Sequence, residues 1–343
     1  MADVYTIGVD LGGTNLRIAA YTKPSGILEQ ILLPTRLPAG REAVVDDMCG
    51  AILQLLAKYS RLSLGGIGVG SPGPIELPEG RLRHLPNLPG WDGFRLRAAI
   101  EGRLKMSVIV ESDANLAALA ECLLGKGKTL GIDSLCMLTL GTGVGNGIIL
   151  DGKIFDGMNG MAGEAGHATI WPHGHACGCG SNGCLEQYAS ATAVRRMADE
   201  AIATGKAPGL AALRDQNPDF ASRDVAALAR AGDPEAQGVF DRVGEALGIG
   251  LGALVNTLNL PLYVVGGGVA QAWDLFAPKM FKELEYRSYV YRLTDGKLDE
   301  FGHRSSKTHV EPAELGAESG ILGACLLPFT VSSTDSLPSP SLP

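Results

Sequence analysis

A strand, a glycine–threonine turn and a returning strand occur twice in this chain, about 130 residues apart. In the first copy, Val4 to Asp10 reads as a buried strand, Leu11-Gly12-Gly13-Thr14-Asn15 as a turn, and Leu16 to Tyr21 as the return. A second turn, Lys23 to Gly26, leads to a third strand, Ile27 to Leu33, so the chain opens on a β-meander and not on a βαβ unit. In the second copy, Leu135 to Leu140 is the strand, Gly141-Thr142-Gly143-Val144-Gly145-Asn146-Gly147 the turn, and Ile148 to Leu150 the return. The repetition predicts two similar α/β lobes facing each other. The 343 residues, 45% of them hydrophobic, are enough to give each lobe a core.

The rest of the chain fits that frame. Helical spacing runs over Val44 to Tyr59, short strands over Ile67 to Gly70 and Val108 to Glu111. An Ala/Leu-rich helix, Ala114 to Leu124, starts directly after Asp113, a residue type suited to the N-cap. Later come a glycine-containing helix from Val239 to Leu258, a strand from Leu262 to Val265, the triple Gly266-Gly267-Gly268, an apolar helix from Val269 to about Tyr286, and a last helix from Leu315 to Leu326. Val331 to Pro343 is rich in Ser and Pro, offers little to bury, and is expected to be disordered.

The glycine turns suit phosphate. Gly12, Gly13 and Thr14 present backbone N–H groups and a hydroxyl without Cβ bulk; Gly141, Thr142 and Gly143 repeat the offer. Gly266 to Gly268, ahead of a helix, permit close approach of a nucleotide to its positive end. Asp10, ending the first strand, is placed to hold magnesium directly or through water. Two other glycine patterns fail. Gly68-x-Gly70-x-x-Gly73 runs into Pro72, Pro74 and Pro78, so no helix opens there. Gly127-Lys128-Thr129 lacks the first glycine of a P-loop, because Cys122 occupies that place.

From Gly163 to Glu186 the chain reads GEAGHATIWPHGHACGCGSNGCLE. His167, Cys177, Cys179 and Cys184 follow the order H-x9-C-x-C-x4-C, a donor set that suits closed, tetrahedral, structural zinc. His173 and His175 compete for the fourth position; His167 is favoured because it comes from outside the tight knuckle. A disulfide with a spare thiol is the rival reading. It requires export, and Met1 to Asp10 shows no secretory pattern. Glu164 and Glu186 bracket the cluster, which makes it part of a binding site more than a free-standing finger. The other cysteines, Cys49, Cys122, Cys136 and Cys325, lie in apolar surroundings and read as buried and inert.

Charge and hydropathy exclude some classes. The net charge of −8 and the absence of Lys or Arg from Gly163 to Tyr188 argue against nucleic-acid binding. No run of about 18 apolar residues is present, so no membrane partner is expected and the expected location is the cytoplasm.

Eight stretches together resemble the ROK family of repressors, open reading frames and sugar kinases: DLGGTN at 10–15, GSPGP at 70–74, PNLPGW at 86–91, SDANLAALAE at 112–121, LTLGTGVGNG at 138–147, GEAGH at 163–167, CGCGSNGCLE at 177–186 and VVGGGV at 264–269. The match runs from about Val4 to Leu326. It implies the actin-like, ribonuclease-H-like ATPase fold, α/β throughout, with two lobes around a cleft and a zinc-binding loop. The implied lobes are 1–120, rejoined by a C-terminal helix at about 313–330, and 121–312 with the zinc loop at 163–186. The resemblance further implies ATP-dependent phosphorylation of a hexose at its C6 hydroxyl, most simply glucose, with magnesium on the nucleotide, as in glycolysis. Asp113 becomes the general base, since a positioned carboxylate can take the proton of a poorly nucleophilic sugar hydroxyl. Asn87, Ser112, Asp113, Glu164, His167 and Glu186 become sugar contacts, as side chains that hydrogen-bond paired hydroxyls. Trp91 reads as local packing. Many family members carry Asn where Ser112 stands here, which bears on the sugar's C3 and C4 hydroxyls and leaves N-acetylmannosamine, N-acetylglucosamine and fructose as alternative substrates. A repressor-type regulator or a non-catalytic sugar sensor is the alternative from another class. The repressors carry an N-terminal helix-turn-helix for which Asp10 leaves no room, and the intact Asp10, Gly12, Gly13 and Asp113 speak against a dead sensor. Family members are often dimers or tetramers, so a homo-oligomer is expected.

Overall fold

The apolar run VYTIGVDL forms strand β1 (Val4–Leu11), every residue of which is buried except Val4. It pairs antiparallel with β2 (Asn15–Thr22), which pairs antiparallel with β3 (Gly26–Pro34). The computed structural model that shows this describes residues 4–83, 88–294, 296–298, 302–303 and 305–331. Helix α1 (Arg41–Lys58) turns Val44, Val45, Met48, Ile52 and Leu55 inward and returns the chain to β4 (Ser63–Ser71), parallel to β1. A small ladder of β5 (Ile75–Glu76) and β6 (Arg81–Leu82) and helix α2 (Leu96–Leu104) precede β7 (Ile109–Ser112), parallel to β4. Helix α3 (Asp113–Leu123) follows at once, then the short α4 (Lys126–Leu130).

The second sheet repeats the plan. Its strands are β8 (Leu135–Leu140), β9 (Val144–Leu150), β10 (Lys153–Ile154), β11 (Leu262–Gly266) and β12 (His309–Pro312). The first sheet has the order β3-β2-β1-β4-β7, the second β10-β9-β8-β11-β12. In both, an antiparallel outer pair precedes strands joined in parallel on the other side of the leading strand. The duplication legible in the two glycine turns is thus a duplication of whole sheets. Between β10 and β11 lie α5 (Glu186–Ala189), α6 (Ala191–Ala203), α7 (Pro208–Gln216), α8 (Ser222–Arg230) and α9 (Pro234–Leu258). After β11 come α10 (Trp273–Arg287), α11 (Tyr289–Leu293) and finally α12 (Ser319–Leu326).

Contacts divide the described residues into two compact units, one within Met1–Lys128, Gly147–Gly163 and Ala317–Pro343, the other within Thr129–Asn146 and Glu164–Gly316. In the first, α12 lies so close to β1 and β4 that a Cβ on Gly68 would stand 2.2 Å from the Ala324 carbonyl oxygen and one on Gly8 2.6 Å from the Cys325 nitrogen. Thr6 Oγ1 donates to the Cys325 carbonyl at 2.7 Å within this contact. On its other side α12 meets α3, where a Cβ on Gly323 would be 1.9 Å from the Leu116 carbonyl oxygen. Gly323→Ala is therefore expected to destabilise by about 3 kcal/mol, as overpacking against backbone does. Gly102→Ala in α2, where a Cβ meets nothing within 4 Å, should be neutral or stabilising. Urea unfolding of the two variants tests this, and equal midpoints would disprove it. In the second unit, Gly244 and Gly248 of α9 make the same kind of close approach to α10, against the Phe276 and Met280 carbonyls.

Some expectations shift. The second hairpin turn is three residues, Gly141–Gly143, not seven, because β9 already begins at Val144 and buries Asn146, whose Nδ2 donates to the Met137 carbonyl at 2.8 Å. The glycine triple leads first into a 3-10 turn, Val269–Ala272, and only then into α10, so no α-helix opens directly on it. Strand β12 and helices α5 to α8 have no counterpart in the sequence reading. Trp91 is buried and packs edge-on to Phe94. Among the described residues no helix is long and apolar enough to cross a membrane.

Candidate functional site

In the first unit, Asp10 and Asp113 stand at one edge of the sheet. Register places Asp10 opposite Gly70 and Gly70 opposite Glu111, so the ends of β1 and β7 lie two strand spacings, about 10 Å, apart. This is the carboxyl edge of parallel strands, where open α/β sheets bind ligands. Asp113 is half-buried and is the first residue of α3. The N-cap is Ser112, whose extended backbone turns the chain into the helix, not Asp113 as its residue type suggested. Being inside the first turn sets the Asp113 carboxylate at the positive end of the helix. Gly70 lies beneath: a Cβ there would be 4.0 Å from the Asp113 Cα and 2.7 Å from a Leu116 methyl.

Asp10 Oδ2 pairs with Arg17 Nη2 at 3.1 Å, and Arg17 Nη1 donates to the Ala317 carbonyl at 2.7 Å. Burial raises the Asp10 carboxyl, Arg17 opposes the rise, and Glu318 adds to it. The turn beside it is held by the Gly12 N–H donating to Asn15 O at 2.9 Å and by Thr35, whose hydroxyl donates to the Gly12 carbonyl at 2.7 Å and whose N–H donates to Thr14 O at 2.8 Å. Thr14 is exposed and Gly13 half-exposed.

In the second unit the structure brings together residues that sequence reasoning had kept apart. The Val144 N–H, at the end of the Gly141–Gly143 turn, donates to Glu186 Oε2 at 3.0 Å. A Cβ on Gly143 would fall 2.3 Å from the same oxygen, so a side chain there would force that carboxylate to shift. The turn is further tied to α6, with Ala191 N–H donating to Gly141 O and Thr192 Oγ1 to Thr142 O, both at 2.8 Å. Gly267, at φ +89, packs over Leu140, the last residue of β8, so the glycine triple and the hairpin turn are neighbours. A Cβ on Gly141 or Gly268 would meet no protein atom within 4 Å, and neither adopts positive φ. The chain's own packing gives no reason for glycine at these two positions, and both leave their backbone open.

Glu186 Oε1 reaches toward Cys177 Sγ at 3.9 Å, which joins the turn to the cysteine cluster. The ligand atoms of His167, Cys177, Cys179 and Cys184 all lie within 4.8 Å of one another. Cys177 Sγ is 3.6 Å from His167 Nδ1, and Cys179 Sγ is 3.7 Å from Cys184 Sγ. Around tetrahedral zinc, bond lengths of about 2.3 Å to sulfur and about 2.05 Å to nitrogen predict S···S near ~3.8 Å and S···N near ~3.6 Å. These two distances match that geometry, and the donor set of three thiols and one imidazole suits the metal. All seven cysteines are free thiols, so the disulfide reading fails. Without a cation, burial and the neighbouring thiols push Cys184 up to about 12. His173 and His175 take no part: His175 Nε2 faces Glu200 at 3.8 Å, and both line a separate hollow with Trp171, Tyr188 and Arg242. The knuckle is shaped by Gly180 and Gly183 at φ +94 and +66 and by Cys177 N–H donating to Ser181 O at 2.8 Å.

Use of Nδ1 toward the cysteines leaves Nε2 of His167 available to another partner. The Glu164 residue is exposed overall, yet desolvation of its carboxyl raises it, His167 opposes the rise, and Glu186 adds to it. Asn87 lies outside the described residues, as do residues 332–343 of the expected tail.

A duplicated sheet with glycine turns at corresponding places defines an actin-like ATPase fold carrying a Cys₃His loop. The ROK family model matches residues 6–330, and the chain belongs to the ROK family. A glucokinase of Halalkalibacterium halodurans is 37% identical over 326 residues, 94% of each chain. One of Thermotoga maritima is 33% identical over 83% of this chain and 89% of its own. The crystal structure of a ROK glucokinase from Streptomyces griseus, in complex with glucose and AMPPNP, superposes with a TM-score of 0.74 at 31% identity, covering 95% of this chain and 100% of that one.

Proposed function

We propose that the protein is an ATP-dependent hexokinase-type sugar kinase that transfers the γ-phosphoryl group to the C6 hydroxyl of glucose. The observation that carries the reading is Asp113 at the first turn of α3, on the carboxyl edge of the sheet that also ends in Asp10. Asp113 accepts the hydroxyl proton as the oxygen attacks phosphorus in line. Ser112, Asn87, Glu164, His167 and Glu186 bind the remaining hydroxyls, His167 through Nε2–H. The turns Gly12–Thr14 and Gly141–Gly143, with Gly266–Gly268, receive the nucleotide. Asp10, with one oxygen engaged by Arg17, would hold magnesium directly or through water, and the ion would supply charge neutralisation on the phosphates. His167, Cys177, Cys179 and Cys184 hold zinc as a structural ion. The relatives named glucokinase support glucose over other hexoses. The same reading sets the protein in the cytoplasm, in carbohydrate breakdown, as a homo-oligomer that binds no nucleic acid; the lobes expected at 1–120 with 313–330 and at 121–312 give way to units in which Gly147–Gly163 packs with the first.

ATP and magnesium with a panel of glucose, N-acetylmannosamine, N-acetylglucosamine and fructose test this. Glucose is expected to be phosphorylated fastest. A faster N-acetylated sugar would overturn the substrate assignment, and no transfer to any hexose would overturn the kinase reading itself.

A further inference from the structure

Beneath Asp113 lies a second carboxyl group that the reaction does not use. Glu111, on β7 two residues earlier, is only 4% exposed. Its Oε1 accepts from the Ser112 N–H at 2.7 Å and from Asn115 Nδ2 at 2.9 Å. These contacts hold the Glu111–Ser112 peptide, one before the peptide that leads into Asp113, and a side chain from the first turn of α3. The Glu111 carboxyl is also hydrogen-bonded to that of Asp156, 45 positions further along the chain. Asp156 Oδ1 is buried without a hydrogen-bond partner among the described residues. The Asp156 backbone is held in place, its carbonyl accepting from the N–H groups of Gly160 at 3.0 Å and Ala162 at 3.2 Å.

Two carboxyl groups in contact, one buried and the other half-buried, disfavour double ionisation; one proton between them makes a strong O–H···O⁻ bond. Among the described residues no Lys, Arg or His forms an ion pair with either carboxyl group. Of the elements packed against β7, β4 carries no titratable residue, and α3 carries Asp113, Glu121 and Cys122. Helix α2 carries Arg97, Glu101 and Arg103; Arg97 is bound to Glu101, and Arg103 to Glu42 and Asp46. Lys153, on β10 near Asp156, is exposed.

We propose that Glu111 is a positioning residue for Asp113: with Asp156 it forms an acid–carboxylate pair that holds one proton in common and fixes the backbone from which Asp113 projects. The proposal rests on the reading of Asp113 as the base. It has a consequence for pH. Burial foremost, then the charge of Asp156, pushes Glu111 up to about 8, and Asp156 is raised by burial as well. Both folded-state values lie above the unfolded ones. The pair's contribution to stability is therefore complete below the ordinary carboxylate range and is lost as pH rises toward about 8. At that point the two negative charges repel and the β7–α3 junction loosens.

Glu111→Gln and Asp156→Asn each replace the shared proton with an amide N–H that does not titrate. Both are expected to keep kcat at pH 7 within about threefold and to move the alkaline fall of kcat upward by at least about one pH unit. Their thermal midpoints should exceed that of the wild type by a margin that widens from pH 5 to about 8.5. Glu111→Ala removes the acceptor for Ser112 and Asn115 and should lower kcat about 10- to 100-fold while leaving the sugar KM nearly unchanged, as a small misplacement of the base does. If it fails to fold, the two amide variants decide alone. An alkaline limb unchanged in both amide variants, or a Glu111→Ala enzyme with wild-type kcat, overturns the inference. An Asp113→Asn control separates the two readings: if it retains turnover, the base assignment falls and the positioning role with it; if it is inactive, a null result at Glu111 counts against the inference alone.

Discussion

Asp113→Asn is expected to lower kcat by about 10³-fold while the enzyme still binds glucose with close to wild-type affinity. The substitution preserves size and hydrogen-bonding reach but removes the group that takes the hydroxyl proton. It should not unfold the protein. Asp113 is half-buried in the first turn of α3, so the loss of its charge forfeits a favourable helix-terminus interaction of only about 0.3–1 kcal/mol. Calorimetric binding of glucose alongside a coupled assay of ADP release separates the two effects. Turnover within about tenfold of wild type would falsify the base assignment, because a general base contributes more than that.

The second large effect concerns the metal. Elemental analysis should find one zinc per chain, and Cys184→Ser or exhaustive chelation should raise the glucose KM about 10- to 100-fold, the usual cost of disturbing groups that orient a site. Cys184 is fully buried and its Sγ also contacts the His167 carbonyl at 3.3 Å, so the ligand and the backbone that carries His167 are lost together. The nucleotide's KM should change less. It should not be immune, because Glu186 accepts from Val144 at the end of the Gly141–Gly143 turn and sits beside Cys177. Loosening the knuckle thus reaches one glycine turn through one carboxylate. A folded, metal-free enzyme with an unaltered glucose KM would refute the role given to the loop.

Much of this was legible because it is local. Strand β1 reads from its apolar run, α1 from its 3.6-residue spacing, and the cysteine knuckle from three thiols among glycines; each depends on neighbours within a few residues. The two glycine turns announced the duplication. What local pattern could not reveal was pairing across distance. Strand β12 is four residues, His-Val-Glu-Pro, with one buried side chain, and only its partner β11 makes it a strand. Asp113 looked like an N-cap by type, but the extended backbone of Ser112 took that position and put Asp113 inside the helix.

The sequence by itself determined the two leading hairpins, helices α1 and α3 and the donor set of the cysteine loop, since composition and period are carried by consecutive residues. Only the tertiary structure decided that Glu186 enters the Gly143 turn, that α12 crosses β1 and β4 on Gly8 and Gly68, and that Asp156 meets Glu111 at the start of α3. The physical reason is common to all three. Each is a contact between segments far apart in the chain, and neither an absent Cβ nor a meeting of two carboxyl groups has any signature until packing brings the two surfaces together.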